Sequence, residues 1–253
     1  MADVMLALMR TLTSLRQGKI WGYVLLPAIF SLLLSIVLAI WVLGAMVEQM
    51  LDYPPMTLLI SWGMIWLAHI LAYLGGWMAI FAFAYLCASL LAAIFILPLL
   101  LKHLANTEYR DVAQMGANSF VAAAVNSLWA TVLFIVGWVL TLPLWLIPGL
   151  SLLLPMLLMA SLNRRTFAYD ALSMHATDDE WREIRRQQKH PMFMLGLSMA
   201  LLAHVPLIGL LVPALAALSF IHFGLEALRR SRADGSIEGQ AVRVADDENL
   251  QLH

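Results

Sequence analysis

Long unbroken apolar runs, rather than short alternating blocks, organise this chain. The first residues are the exception. Val4, Leu8, Thr11, Leu12 and Leu15 recur at helical spacing across residues 3–16, with Arg10 and Arg16 on the other side. That stripe predicts a short amphipathic helix lying on a membrane surface. Residues 20–47 then form an apolar run, which at about 1.5 Å per residue is long enough to cross a hydrocarbon core of about 30 Å. Pro27 falls near its start, where a missing N–H costs least. The run ends at Glu48, and the segment through Asp52, Pro54 and Pro55 carries acid but no base.

Residues 56–101 contain no Asp, Glu, Lys or Arg. As one helix they would extend about 69 Å, more than twice the bilayer core. Either a single long, tilted helix runs past the membrane and bends near Pro98, or Gly75-Gly76 divides the run into two spans. The second arrangement would put Lys102 and Arg110 outside and would tend to invert the Arg-rich stretch further on, so charge placement favours one helix.

The mixed residues 112–127, with Gln114, Asn118, Ser119, Asn126 and Ser127, predict an interfacial helix leading into the next apolar run. That run, 128–162, is interrupted by Pro143, Pro148-Gly149 and Pro155 and ends at Asn163-Arg164-Arg165. Because positive charge flanks both ends, the segment must go in and come back as a hairpin. Residues 163–190 are the main polar stretch. In it Thr177-Asp178-Asp179-Glu180 is a helix start with a capping residue and an acid three positions on, and Arg182, Arg185, Arg186 and Lys189 follow, as the helix dipole prefers. Residues 191–228 repeat the hairpin pattern, with arms Pro191–Val205 and Pro213–Leu228 of 15 and 16 residues. Both fall short of the roughly 17–25 residues of a full span, so this hairpin is expected to penetrate only part of the bilayer. The two tips match. Pro148 and Pro155, like Pro206 and Pro213, stand seven apart with an apolar bracket and a glycine. This is a weak internal repeat of a kind some transport proteins show, and one that any membrane hairpin needing Pro and Gly to turn would also produce.

Composition agrees with a chain dissolved in lipid. Of its 253 residues 62% are hydrophobic and only 12% charged, against about 45–50% and about 25% in soluble domains. A net charge of −1 gives no basic field for nucleic acid. The positions of the charges say more. Every Lys and Arg falls before the first run, after the second, within 163–190 or in the closing segment, and none within an apolar run. The positive-inside rule then places both termini in the cytoplasm. The single cysteine, Cys87, excludes an intramolecular disulfide and a thiolate metal site. Gln17-Gly18-Lys19 is no small-residue cleavage site, so the N-terminus is not read as a cleavable signal. Neither a G-x-S-x-G elbow, an H-E-x-x-H pair, a P-loop nor paired intramembrane carboxylates are present. Catalysis, a cofactor and ATP-driven pumping are therefore not expected.

The order of these parts resembles the CysZ family, bacterial inner-membrane proteins that admit sulfate and are related to the eukaryotic etoposide-induced membrane proteins. The resemblance covers roughly residues 8–230. It is carried by Tyr23-Val24-Leu25-Leu26-Pro27 opening the first span, Ile147-Pro148-Gly149 with Pro155, Tyr169-Asp170 leading into the charged helix, and Val205-Pro206-Leu207 with Pro213. It implies passive permeation of a small oxyanion, sulfate first. Such permeases are expected to bind the anion at a glycine closely followed by an arginine pair just before the first span. Here the stretch reads Gln17-Gly18-Lys19-Ile20-Trp21-Gly22, so Gly18, Lys19 and Gly22 are the candidate anion-binding residues and the guanidinium fork is missing.

Other polar residues have both a functional and a structural explanation. Gly18, Lys19 and Gly22 also suit a basic anchor touching lipid phosphates. His69, deep in the charge-free run with Ser61 and Tyr73 on its face, and His204, beside the second hairpin tip, are candidates for a permeation pathway. A histidine hydrogen-bonded to a neighbouring helix, for His69, or facing water or headgroups at a tip, for His204, is the commoner explanation. His222 and Glu226 share a helix face but have no third metal ligand at matching spacing. Glu226 is better read as an ion-pair partner of Arg229 and Arg230.

The expected fold is all-α. It is a polytopic integral membrane protein with two long transmembrane helices, two short Pro/Gly-tipped and partly penetrating helical hairpins, and amphipathic surface helices. Residues 1–230 form one membrane domain with a polar cytoplasmic helix at about 163–190, and 231–253 form a disordered polar tail. Expected partners are sulfate or a similar oxyanion, membrane lipids and further copies of the chain, in a bacterial inner membrane. The rival function is a membrane scaffold or assembly protein that transports nothing.

Overall fold

A computed structural model describes the backbone of residues 2–116, 120–147, 149–205 and 208–250, and their side chains apart from 120, 145–146, 151–152 and 236–250. Asn118, Ser119, Pro148, Pro206 and Leu207, which the sequence marks for an interfacial helix and the two hairpin tips, lie outside the described residues. The described residues are helical throughout, joined by turns. In order come α1 (Ala2–Ser14), α2 (Gly18–Trp41), α3 (Leu43–Leu51), α4 (Met56–Ser61) and α5 (Ile65–Leu91). A π-helical turn (Ala92–Ile96) leads into α6 (Leu97–Ala105). Then follow α7 (Phe120–Thr141), a 3₁₀ segment (Leu142–Leu146), α8 (Leu150–Leu172), α9 (Asp178–Gln187), α10 (Lys189–Ala203) and α11 (Ile208–Leu250).

Four helices have the length and apolar content to cross a bilayer: Gly18–Trp41, Ile65–Ala105, Val121–Leu144 and Ile208–Gly235. This is two more than the number of long spans the sequence predicts, because α7 and α11 each form one continuous rod where patterning suggests shorter arms. The charge-free run is continuous through Gly75-Gly76, as charge placement favours, and makes a 41-residue helix. The glycines do not break it, because α3 lies against them. A Cβ on Gly75 would stand 2.6 Å from Met50 Cε, and one on Gly76 2.7 Å from Leu43 Cδ1. The break comes earlier, at Gly63, whose φ of +78° a Cβ would strain. Just before Pro98, where a bend is expected, the helix widens into the π-helical turn Ala92–Ile96.

Two boundaries move. Residues 112–116 are not helical, and residues 120–127 of the expected interfacial helix form the first turns of α7. In the other direction α8 does not stop at Asn163. It runs through Arg164-Arg165 to Leu172, since Asn and Arg are compatible with helix and no breaker intervenes. The polar stretch 163–190 is therefore the end of α8, a turn, α9 and the first residues of α10. The start of α9 is as the sequence predicts. Thr177 Oγ1 accepts from the Glu180 N–H at 3.3 Å and Glu180 Oε2 accepts from the Thr177 N–H at 2.8 Å.

α11 is the centre of the molecule. In its apolar window 78% of residues are buried, against 28% for α2 and 17% for Val121–Leu144. The outer faces of α2 and α7 are left for lipid, while α11 packs on α1, α2, α8 and α10. Its small residues Ala214, Ala216, Ala217 and Gly224 let neighbours approach, and Leu172 lies 3.0 Å from where a Gly224 Cβ would be. The surrounding core includes Ile20, Leu97, Leu101, Leu104, Phe167 and Ile221, all nearly inaccessible. α10 meets α8 at Gly196, where a Cβ would come 2.5 Å from the Ala160 carbonyl oxygen.

The paired tips share one further feature. Pro155 and Pro213 each stand five residues after the start of their helix, α8 at Leu150 and α11 at Ile208. Their glycines work differently. Gly149 turns with φ +87°, whereas Gly209 lies so close to α10 that a Cβ would be 2.3 Å from the Ala203 carbonyl oxygen. At the C-terminus the α11 backbone is helical to Leu250. Arg232 makes hydrogen bonds to Glu180 and to the Ala113 and His175 carbonyls.

Candidate functional site

The start of α2 carries the residues picked from the sequence. Gln17 takes the N-cap position with φ −82° and ψ 115° but forms no side-chain cap. Its amide turns away, with Nε2 donating to Glu108 Oε1 at 3.0 Å and Oε1 lying 3.1 Å from His103 Nε2. The first turn of α2 is thus left without a capping side chain, its Ile20 buried in the core. Gly18, Lys19 and Gly22 are all exposed on it, and a Cβ at either glycine would meet nothing within 4 Å. Gly18 and Gly22, four apart, share a face. The structure brings these three residues together but sets Glu108 beside their N-cap, an acid the sequence does not place there.

His69 and His204 sit elsewhere. His69 is exposed near the start of α5, its Nδ1 2.9 Å from the Ile65 carbonyl oxygen one turn back. Tyr73, on the same face, is also exposed, and the Ser61 hydroxyl donates to Leu58 within α4. His204 caps the end of α10, exposed, with Nδ1 2.7 Å from the Ala200 carbonyl oxygen.

A buried polar chain joins α1, the turn after α6, and α11. Arg10 Nη1 donates to the Tyr109 hydroxyl at 2.9 Å. That hydroxyl lies 2.9 Å from His222 Nδ1, His222 Nε2 lies 2.9 Å from Ser14 Oγ, and Ser14 donates to Glu108 at 3.2 Å. The directions follow from the ends. A carboxylate only accepts and a guanidinium only donates, so Tyr109 donates to Nδ1 and the His222 proton sits on Nε2. Burial pushes the Tyr109 phenol up to about 12, which keeps it neutral in this role. Glu226 accepts ion pairs from Arg10 at 3.2 Å, Arg229 at 3.3 Å and Arg230 at 3.4 Å. Arg229 also reaches Asp111 at 2.7 Å and lies 4.8 Å over the Tyr109 ring. His222 and Glu226 are therefore committed to protein partners, and among the described residues no group of three or more His, Cys, Asp or Glu could hold a metal ion.

A further polar feature joins residues that the sequence does not bring together. A cavity of about 410 Å³ lies between α7, α8, α9 and α10. Arg164 and Arg165 from α8, Arg185 from α9 and Lys189 from α10 line it, and its lining includes no carboxylate. Trp129, Tyr169 and Trp181 supply aromatic walls. Of the acids of α9, Asp179 pairs with Arg182 at 3.0 Å, Glu183 with Arg186 at 2.7 Å and Glu180 with Arg232 at 2.8 Å. Arg164 stacks 5.9 Å over the Phe193 ring. Burial, with the like charges of Arg165 and Arg185, holds Arg164 below the usual arginine range. Beneath this wall Asp170 is buried and accepts from the Ser127 hydroxyl at 2.9 Å. Asn126 bridges to the Arg165 carbonyl at 3.0 Å. Burial pushes the Asp170 carboxyl up to about 7. In the sequence Arg164 and Arg165 read as flanking charge, and Arg182, Arg185, Arg186 and Lys189 share one helical face that could meet anions but reads by default as a solvated face.

A sequence model of the family described as sulfate transporter CysZ/etoposide-induced protein 2.4 matches residues 7–213. Neither a curated protein sequence nor a solved structure matches the chain.

Proposed function

The chain belongs to the CysZ/etoposide-induced protein 2.4 family, and from that membership we propose that it is a passive permease for a small oxyanion, sulfate first. It is a multi-pass membrane protein of a family of transporters rather than enzymes. The observation that carries the proposal is the family match over residues 7–213, most of the chain. Geometry supports it at the mouth of α2. The first turn of α2 has no capping side chain, and Gly18, Lys19 and Gly22 are exposed on it, which supports an anion contact at this helix start. Gly18 and Gly22 leave open space above that turn for a hydrated ion. We assign the first anion contact to Gly18, Lys19 and Gly22, with binding weaker than a guanidinium fork would give.

The remaining parts of this reading follow from charge and exposure. Both termini lie in the cytoplasm of a bacterial inner membrane, in keeping with the basic flanks of the runs. The α7–α8 and α10–α11 pairs act as hairpins with α1 and α9 on the surface, residues 1–230 working as one membrane unit. His69 and His204 are exposed on a single chain, so their pathway role belongs to a passage between copies in a homo-oligomer. A second reading, a non-transporting scaffold, is favoured by one observation, the missing arginine pair at Trp21-Gly22.

Uptake of labelled sulfate into proteoliposomes, with chloride and phosphate as competitors, separates the two. Permeation predicts saturable, competed uptake that falls in Lys19→Ala. Uptake no faster than in empty liposomes, with the protein folded and inserted, would leave the scaffold.

A further inference from the structure

We propose that the cavity between α7, α8, α9 and α10 is a binding site for a tetrahedral oxyanion, a phosphate or sulfate group held by Arg164, Arg165, Arg185 and Lys189. Like charges do not gather without cause. Four cations from three helices line one cavity whose lining includes no carboxylate. The neighbouring cations Arg182 and Arg186, one turn away on α9, are both paired with acids. The arrangement therefore suits an anion, and the fork geometry of three guanidiniums suits a ligand with several oxygens around one centre.

Placement narrows the source. Arg164 and Arg165 follow Asn163 at the end of the largely apolar residues 150–162, and Trp129 lies on the third turn of the candidate span that includes α7. The cavity is thus at the level where apolar helix gives way to charge. Trp129, Tyr169 and Trp181 are the amphipathic aromatics that concentrate at headgroup depth. At about 410 Å³ it exceeds one bare tetrahedral ion, so the group arrives either with its hydration shell or as part of a lipid headgroup. The ligand chemistry is the same in both cases. The site is separate from Gly18, Lys19 and Gly22 and does not depend on whether the chain permeates sulfate.

The test uses the full chain purified in detergent. Sodium sulfate and inorganic phosphate are titrated calorimetrically against chloride at equal ionic strength. In parallel, native mass spectrometry counts phosphatidylglycerol retained against phosphatidylcholine. Arg185→Gln with Lys189→Gln removes two exposed cavity cations without breaking an ion pair among the described residues. Arg182→Gln with Arg186→Gln removes the same charge outside the cavity. Binding that weakens roughly tenfold or more in the first double variant and persists in the second supports the site. Loss in the sulfate and phosphate arm identifies a dissolved ion, and loss in the phosphatidylglycerol arm a lipid headgroup. Equal loss in both double variants, or wild-type chain that binds neither probe, overturns it. Sulfate uptake by the first variant reports on permeation alone, so failure of this site and failure of the permease reading are distinguishable.

Discussion

Replacing Arg232 tests how the last turns of the folded body are held. Its guanidinium makes bonds of 2.8 and 3.1 Å to the two Glu180 oxygens, 2.9 Å to the Ala113 carbonyl and 2.8 Å to the His175 carbonyl. One side chain thus ties α11, the turn before α9, and the segment leading to α7. Hydrogen bonds to a charged group contribute about 1.5–3 kcal/mol each and are not additive within one cluster. The side chains are about a quarter exposed, at 23% and 24%, so water screens part of this. Arg232→Ala is therefore expected to cost about 2–3 kcal/mol and to lower the melting temperature in detergent by about 5–10 °C. Arg232→Lys, which keeps charge but not the fork, should lose roughly half of that. The pH dependence is the sharper measurement. The Arg232 hydrogen bond, opposed by burial and helped by the Thr177 N–H, holds the Glu180 carboxyl below its usual range. A lowered folded-state pKa gives stability that is present above the unfolded value and is lost as pH falls through the folded one. The gap between wild type and Arg232→Ala should narrow as the buffer is taken from neutral pH to below the ordinary glutamate range. Equal melting temperatures, or a gap that does not change with pH, would refute the reasoning.

Asp170 should behave in the opposite sense. Its carboxyl is raised to about 7 by burial, so its contribution is complete below the unfolded value near 4 and is lost as pH rises through 7. Wild type should lose up to about 4 kcal/mol relative to Asp170→Asn across that window, read as melting temperature against pH. Gly196→Val forces a side chain into the Ala160 carbonyl, 2.5 Å from its Cβ, and should cost about 1–3 kcal/mol or more. Gly22→Ala, in open space, should leave thermal stability nearly unchanged, and a matching loss in both would discredit the α8–α10 contact. Tyr109→Phe strips partners from the buried His222 and from Arg10 and is expected to cost about 1–3 kcal/mol in the same assay.

What the sequence determined is what depends on residues near one another along the chain. Apolar run length and charge placement settle that the protein is all-helical and crosses a membrane, because the bilayer admits only a backbone that satisfies its own polar groups. The Thr177–Glu180 capping box was legible for the same reason, since both partners lie within one turn. The Glu226 ion pairs with Arg229 and Arg230 span three and four residues and were legible too. Tertiary structure decided everything that needs two distant segments. Gly75-Gly76 is a possible break that charge placement disfavours, and α3 laid against it agrees with its continuity, whereas the break at Gly63, with φ +78°, shows only in the folded backbone. Patterning shows four short arms in the hairpins, but burial makes α11 the central rod and leaves α7 to lipid. The Arg10–Tyr109–His222–Ser14–Glu108 chain joins residues up to 212 positions apart in sequence, and the cavity cations come from three helices whose facing surfaces periodicity cannot assign. A hydrophobic pattern records how each segment meets its solvent, whereas a site is made where segments meet each other.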